Sequence, residues 1–219
     1  MSTIVIDGVP RTELIVLAPG PSLDPAQPVI QTLPIPGGVD IDVTGALSDG
    51  WPEYGHARAV AALAATGRLW DVRTLYTQLW HGRQIALAWD DFPGKHLKGR
   101  ARLHSWSWPA KRDIVLFTLE LDAEPYWWAD APHTQPVAAS PGGTPAQLVP
   151  TGYPVMPHTE VTGGPVQLDI GTTQVELTPG AYEHLEALML RPAAAPLDIT
   201  VSSEADATVT FTWREGWLA

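Results

Sequence analysis

Seven histidines (His56, His81, His96, His104, His133, His158 and His184) and twenty-four Asp and Glu side chains are the groups here that could hold a metal or move protons. A metal site on one strand or helix wants histidines two or four positions apart, because those spacings put both rings on one face. No two histidines stand so, and no His-Glu-x-x-His occurs. Asp90-Asp91 resembles a catalytic pair or a calcium-loop fragment, yet adjacent strand residues face opposite ways and the repeating Asp pattern of a calcium loop is missing. A solvated loop is expected there. Glycoside hydrolysis needs two carboxylates opposed across a cleft, a pairing that sequence rarely displays. No Gly-x-Ser-x-Gly elbow, phosphate-binding Gly-Lys-Ser/Thr loop or Gly-x-Gly-x-x-Gly is present, so the common serine hydrolases, nucleotide enzymes and dinucleotide oxidoreductases have no motif to stand on. The expectation is a protein that is not an enzyme, with no catalytic, cofactor-binding or metal-binding residue and no cofactor.

Ten tryptophans, at positions 51, 70, 80, 89, 106, 108, 127, 128, 213 and 217, are the sharpest oddity of composition. Aromatic rings gather in cores, in protein interfaces and on sugar-stacking platforms. Cores and subunit interfaces are the first reading, and a carbohydrate-binding module is the alternative. Trp106 and Trp108, two apart, would share one face of a strand.

These side chains must be positioned by a chain with 19 glycines and 22 prolines, too many for a helical bundle and usual for short strands and turns. A length of 219 residues and 45% apolar content suffice for one large or two small cores. No eighteen-residue apolar run offers a membrane span, and the N-terminus lacks the pattern of a secretory signal, so synthesis in a cytoplasm is expected. The absence of cysteine removes disulfides, thiolate metal sites and cysteine nucleophiles. A net charge of -11 opposes general affinity for nucleic acid. The charge is uneven: seven of thirteen basic residues lie between Arg83 and Arg112, while from Asp113 onward fourteen acids face only Arg191 and Arg214. Opposed segments of this kind can attract each other across copies of one chain.

Local patterns predict a hairpin around Asp7-Gly8 and strands at 39–43, 83–89, 98–108 and 113–122. At 56–65 the alanines favour helix by propensity while the bounding turns and the place between strands favour a strand, which is the reading taken. Leu69, Val72, Tyr76 and Leu79 recur at helical spacing with Gly82 as a C-cap, which predicts one helix flanking the sheet. After Tyr126-Trp127-Trp128 the text turns proline-rich, marking a domain boundary. Beyond 165, alternating runs at 166–170, 175–177, 197–201 and 209–213 predict a second β-sandwich uninterrupted by helix.

Several motifs in order then resemble the phage distal tail proteins. They are Leu75-Tyr-Thr-Gln-Leu-Trp-His-Gly-Arg83, Ile85-Ala-Leu-Ala-Trp-Asp-Asp-Phe-Pro-Gly94 and Leu97-Lys-Gly-Arg100, with Ile6-Asp7-Gly8, Pro36-Gly-Gly38, Tyr54 with Arg58, and Pro125-Tyr126. In the second half Thr151-Gly-Tyr-Pro-Val-Met-Pro157 and Trp213-Arg-Glu-Gly-Trp-Leu218 are similar to the family's lead-in and closing strand. Thr151 and the alanine-rich text of 58–65 depart from its usual residues.

The resemblance implies a mainly β chain: a β-sandwich or split-barrel-like domain at 1–130 with one flanking helix, and a galectin-like β-sandwich at 131–219 entered through the Pro/Gly-rich 131–165. It implies a structural virion protein at the tail tip, a homohexameric ring between the tail tube protein and the tip or baseplate. Tail-associated lysin, fibre or receptor-binding proteins would dock on it, and DNA would pass without specific binding or membrane insertion. An acidic channel would let phosphates slide, so some acids of the first domain are expected to face the lumen.

Overall fold

Residues 114–129 alternate apolar and polar with a period of two, and they form the longest strand of the chain in a computed structural model. The structure describes residues 3–30, 32–33, 41–42, 54–66, 81–107, 114–150, 152–191 and 194–219. The expected helix at 69–79 and Trp51, Trp70, Trp80 and Trp108 lie outside them, as do positions 39, 40 and 43 of the expected strand at 39–43. The chain divides into two compact units, Met1–Trp127 with Leu218–Ala219, and Trp128–Trp217.

The first unit carries β1 (Ile4–Ile6), β2 (Val9–Pro10), β3 (Leu14–Val16), β4 (Ser22–Asp24), β5 (Thr32–Leu33), β6 (Ile41–Asp42), β7 (Ala57–Thr66), β8 (Gln84–Trp89), β9 (Lys95–Ser107) and β10 (Ile114–Ala129), which runs on past the unit's end. The sheet order is β2-β1-β8-β9-β10-β7-β3, with β4 also on β7, and among the described residues β5 pairs with β6 alone. One face is core: Ile85, Leu87 and Trp89 of β8, Leu97, Ala101 and Leu103 of β9, Val115, Phe117, Leu119 and Leu121 of β10, and Ala57, Ala59, Ala61 and Leu63 of β7 are buried. Alanine suits β7 because it lies between β10 on one side and β3 with β4 on the other. Tertiary packing thus overrides the helix propensity of its alanines.

Two local features set this sheet. Asp7 (φ 53) and Gly8 (φ 77) form the two-residue loop joining β1 to β2, both in the left-handed region that such a turn demands. Gly99 is required by its neighbours, since a Cβ there would stand 2.3 Å from the Asp122 carbonyl oxygen on β10.

The second unit holds β11 (His133–Ala138), β12 (Thr144–Leu148), β13 (His158–Gly163), β14 (Val166–Ile170), β15 (Thr173–Leu177), β16 (Gly180–Tyr182), β17 (Leu197–Ser202) and β18 (Ala207–Trp213). They make two four-stranded sheets, β11-β18-β13-β16 and β12-β17-β14-β15, all pairs antiparallel. The core between them gathers Leu148, Val161, Leu168, Leu188, Ile199, Val201, Val209 and Phe211. The alternation of β14, β17 and β18 is as expected, but the proline-rich 131–165 contains three strands. Pro136 and Pro145 are tolerated because β11 and β12 are end strands, where a missing N–H leaves no ladder bond unmade. A single turn of 3-10 helix, Glu186–Leu188, interrupts the strands where none was expected and drives Leu188 into the core.

β19 (Gly216–Leu218) runs beside β10. Within the first unit the Ala219 amide donates to the Pro125 carbonyl at 2.8 Å, and the Ala26 amide donates to the Ala219 carbonyl at 3.2 Å.

Candidate functional site

On the face of the first sheet turned away from its core, the alternation of β7, β9 and β10 lines up charges. Exposed Arg100, Arg102 and His104 project from β9, and half-buried Glu120 and Asp122 from β10. Arg58, with a side chain 55% exposed, projects from β7. Arg58 donates to Glu120 and lies 3.9 Å from Asp24 of β4. His104 Nε2 lies 3.4 Å from the same Glu120 oxygen, and His56 Nδ1 lies 2.7 Å from Asp122 Oδ1. The Arg58 hydrogen bond holds the Glu120 carboxyl below the usual carboxylate range, against the opposing pull of partial burial. That bond also raises Arg58, so both groups are charged at neutral pH. Arg58 thereby links β4, β7 and β10 by charge, His104 of β9 closes on the same carboxylate, and the face shows both signs to its surroundings.

The β1–β2 hairpin is latched to β8 at both ends. The Asp7 amide donates to the Ala86 carbonyl, and the Ala86 amide donates to Asp7 Oδ1, each at 2.8 Å. At the other end the Thr3 amide donates to Asp90 Oδ2 at 2.8 Å. Asp90 therefore has a structural task that its sequence context did not reveal; Asp91 is exposed in the following turn.

The histidines are scattered. His81 accepts from the Leu103 amide, His96 is buried, and His184 is exposed. His133 lies against the Trp213 ring with centroids 4.4 Å apart, and His158 Nδ1 is 3.2 Å from Glu183. Among the described residues no three His, Asp or Glu side chains gather as metal ligands would.

The tryptophans divide between cores and half-buried contacts. Trp89 and Trp127 are buried and pack with Phe92, which stacks on Trp127 at 4.1 Å. Ser105 (φ 59) breaks the alternation of β9, so Trp106 turns back to stack on buried Phe117 at 4.9 Å. Sequence spacing had not shown that shift. In the second unit Trp128 meets the Tyr153 ring edge-on at 5.0 Å, and Gly216 is wedged so closely that a Cβ would stand 3.1 Å from Tyr153 and 3.3 Å from Trp128. The Ala129 amide donates to the Glu215 carbonyl beside them. The pieces quoted from the lead-in and from the closing strand thus meet one another.

On the second unit's other exposed sheet face, Gln147 donates to Asp198 at 2.8 Å and Gln167 to Asp169 at 2.9 Å. A cleft of about 410 Å³ is lined by Gln167, Glu176, Ser202, Ser203 and Glu204, with Pro141 and Pro165 among its walls. These groups are hydrogen-bonding and acidic, and among the described residues no aromatic ring lines the cleft.

No protein-family model matches the sequence, and no curated protein does. Among solved structures, the chain is similar to the crystal structure of the Dit protein of phage SPP1, described as a paradigm of the hub adsorption apparatus in phages that infect Gram-positive bacteria. The TM-score is 0.61 at 12% identity, over 98% of this chain and 99% of that one. Over its described residues the chain has a mainly β fold similar to that of this phage hub protein.

Proposed function

We propose that this chain is a structural component of a tailed-phage adsorption apparatus, a distal tail hub whose first unit forms a hexameric ring between tail tube and tip. The observation that carries the reading is the extent of the likeness, which covers nearly all of both chains rather than one common sandwich. The sequence motifs quoted above support it independently, since Gly99 and Gly216 each occupy a position that a Cβ would crowd.

A ring subunit must offer two different complementary surfaces to its neighbours. The two-signed face of the first sheet suits such a contact, because it joins exposed Arg100 and Arg102 to a row of carboxylates. The second unit, with ten acids against Arg191 and Arg214, is then the outward domain on which other tail proteins dock. DNA would pass through the ring without specific contacts. The tryptophans favour this reading over sugar binding, for the six described ones are buried or half-buried.

Light scattering and negative-stain images of the purified full chain test it. Particles of six times the monomer mass with an open centre are expected. A monomer with featureless images and hydrolysis of wall polysaccharide on incubation would overturn it.

A further inference from the structure

We propose that β15 is a docking edge that takes up an extended basic segment of another protein as an added strand. A sheet's end strand exposes unpaired N–H and C=O groups, and proteins blunt such edges by shortness, proline or charge. Among the described strands of this chain, that blunting is nearly complete. β2, β3, β4, β5, β6, β16 and β19 have two or three residues each. β11 and β12, the longer end strands of the second unit, carry exposed Pro136 and Pro145. β15 alone among the end strands has five residues, Thr-Gln-Val-Glu-Leu, and no proline.

Its open groups can be named. β14 turns into β15 through Gly171 (φ 58) and Thr172, a two-residue loop whose closing pair is Ile170 and Thr173. The closing pair of such a loop is hydrogen-bonded, and bonding alternates along an antiparallel pair. Thr173, Val175 and Leu177 therefore turn their backbone groups to β14, while Gln174 and Glu176 turn theirs to the open side. Among the described residues no backbone hydrogen bond meets that side.

Charge selects the occupant. Glu176 lies on the edge and, with Glu204, lines the 410 Å³ cleft. β15 has no Lys or Arg, so a second copy would bring acid against acid within an already acidic unit. A lysine or arginine opposite Glu176 would instead place its charge at the cleft, and apolar residues at alternate positions would cover half-buried Val175. The partner segment thus alternates basic and apolar residues.

The inference stands on the second unit alone and survives or fails whether or not the chain forms a ring. The test adds a labelled peptide alternating valine and lysine to the full chain, with the same residues in block order as control. Anisotropy and amide hydrogen exchange are the readouts. Binding of the alternating peptide with slowed exchange at Gln174 and Glu176 is expected, weakened about tenfold or more by Gln174→Pro, which removes one open donor. Glu176→Lys, which leaves the backbone intact, should weaken it comparably. Equal binding of the block-ordered peptide, no effect of either variant, or self-pairing through this edge would overturn it.

Discussion

Arg58 of β7 stands directly opposite Asp122 of β10 in the sheet register, yet its guanidinium bonds the diagonal Glu120, two positions along. Asp122 is left to His56, and Glu120 also receives His104. The diagonal choice puts Arg58 on the carboxylate that His104 of β9 also approaches, while the guanidinium keeps its contact with Asp24 of β4.

This network makes acid stability depend on Glu120. Its folded carboxyl titrates below the usual range, so its contribution is present above about pH 4 and is lost as pH falls through the lowered folded value. Glu120→Gln is expected to lower stability at pH 7 and to flatten the loss between about pH 5 and pH 2, measured by urea unfolding at a series of pH values. An unchanged acid limb would separate the pair from stability.

Asp7 supplies both a left-handed residue and an acceptor to β8. Asp7→Ala loses both and should cost about 1–3 kcal/mol, whereas Asp7→Asn, which tolerates the same backbone and keeps an oxygen, should cost less. Equal losses for the two variants in denaturant unfolding would show that the side-chain bond contributes little.

Gly99→Ala forces a methyl against the backbone of β10 at Asp122 and Ala123, where neither atom is the end of a flexible side chain. A loss of about 2–4 kcal/mol is expected, with a lowered Tm by calorimetry. The neighbouring Arg100→Ala, on the exposed face, should change stability by no more than about 0.5 kcal/mol.

Ser105 bends β9 so that Trp106 reaches Phe117. Ser105→Val places a β-branched residue at positive φ and should cost about 1–2 kcal/mol, while Ser105→Gly should be close to neutral. Near-ultraviolet circular dichroism reports the stacked pair, and its loss in the valine variant alone is the expected result.

Much of the fold was legible because alternation is a local signal. The buried lines of β8, β10, β14 and β18 can be read from the order of Ile85, Leu87 and Trp89 or of Val209, Phe211 and Trp213, and the Asp7-Gly8 loop announces its hairpin. The strands at 133–138 and 144–148 were hidden, since proline excludes a central strand and only their place at a sheet end makes it harmless. The turn of helix at 186–188 and the shift at Ser105 likewise carry no periodic mark.

By itself, then, the sequence determined the all-β class, the turn-rich texture, the missing enzyme motifs and the uneven charge, because composition and period-two patterning act within a few residues. The tertiary structure decided which charges meet and which edges stay open. Arg58 and Glu120 are 62 positions apart, Thr3 and Asp90 are 87 apart, and β15 became an open edge only through the order of strands in its sheet. Such pairings follow from where the whole chain folds back on itself, and no local pattern encodes that.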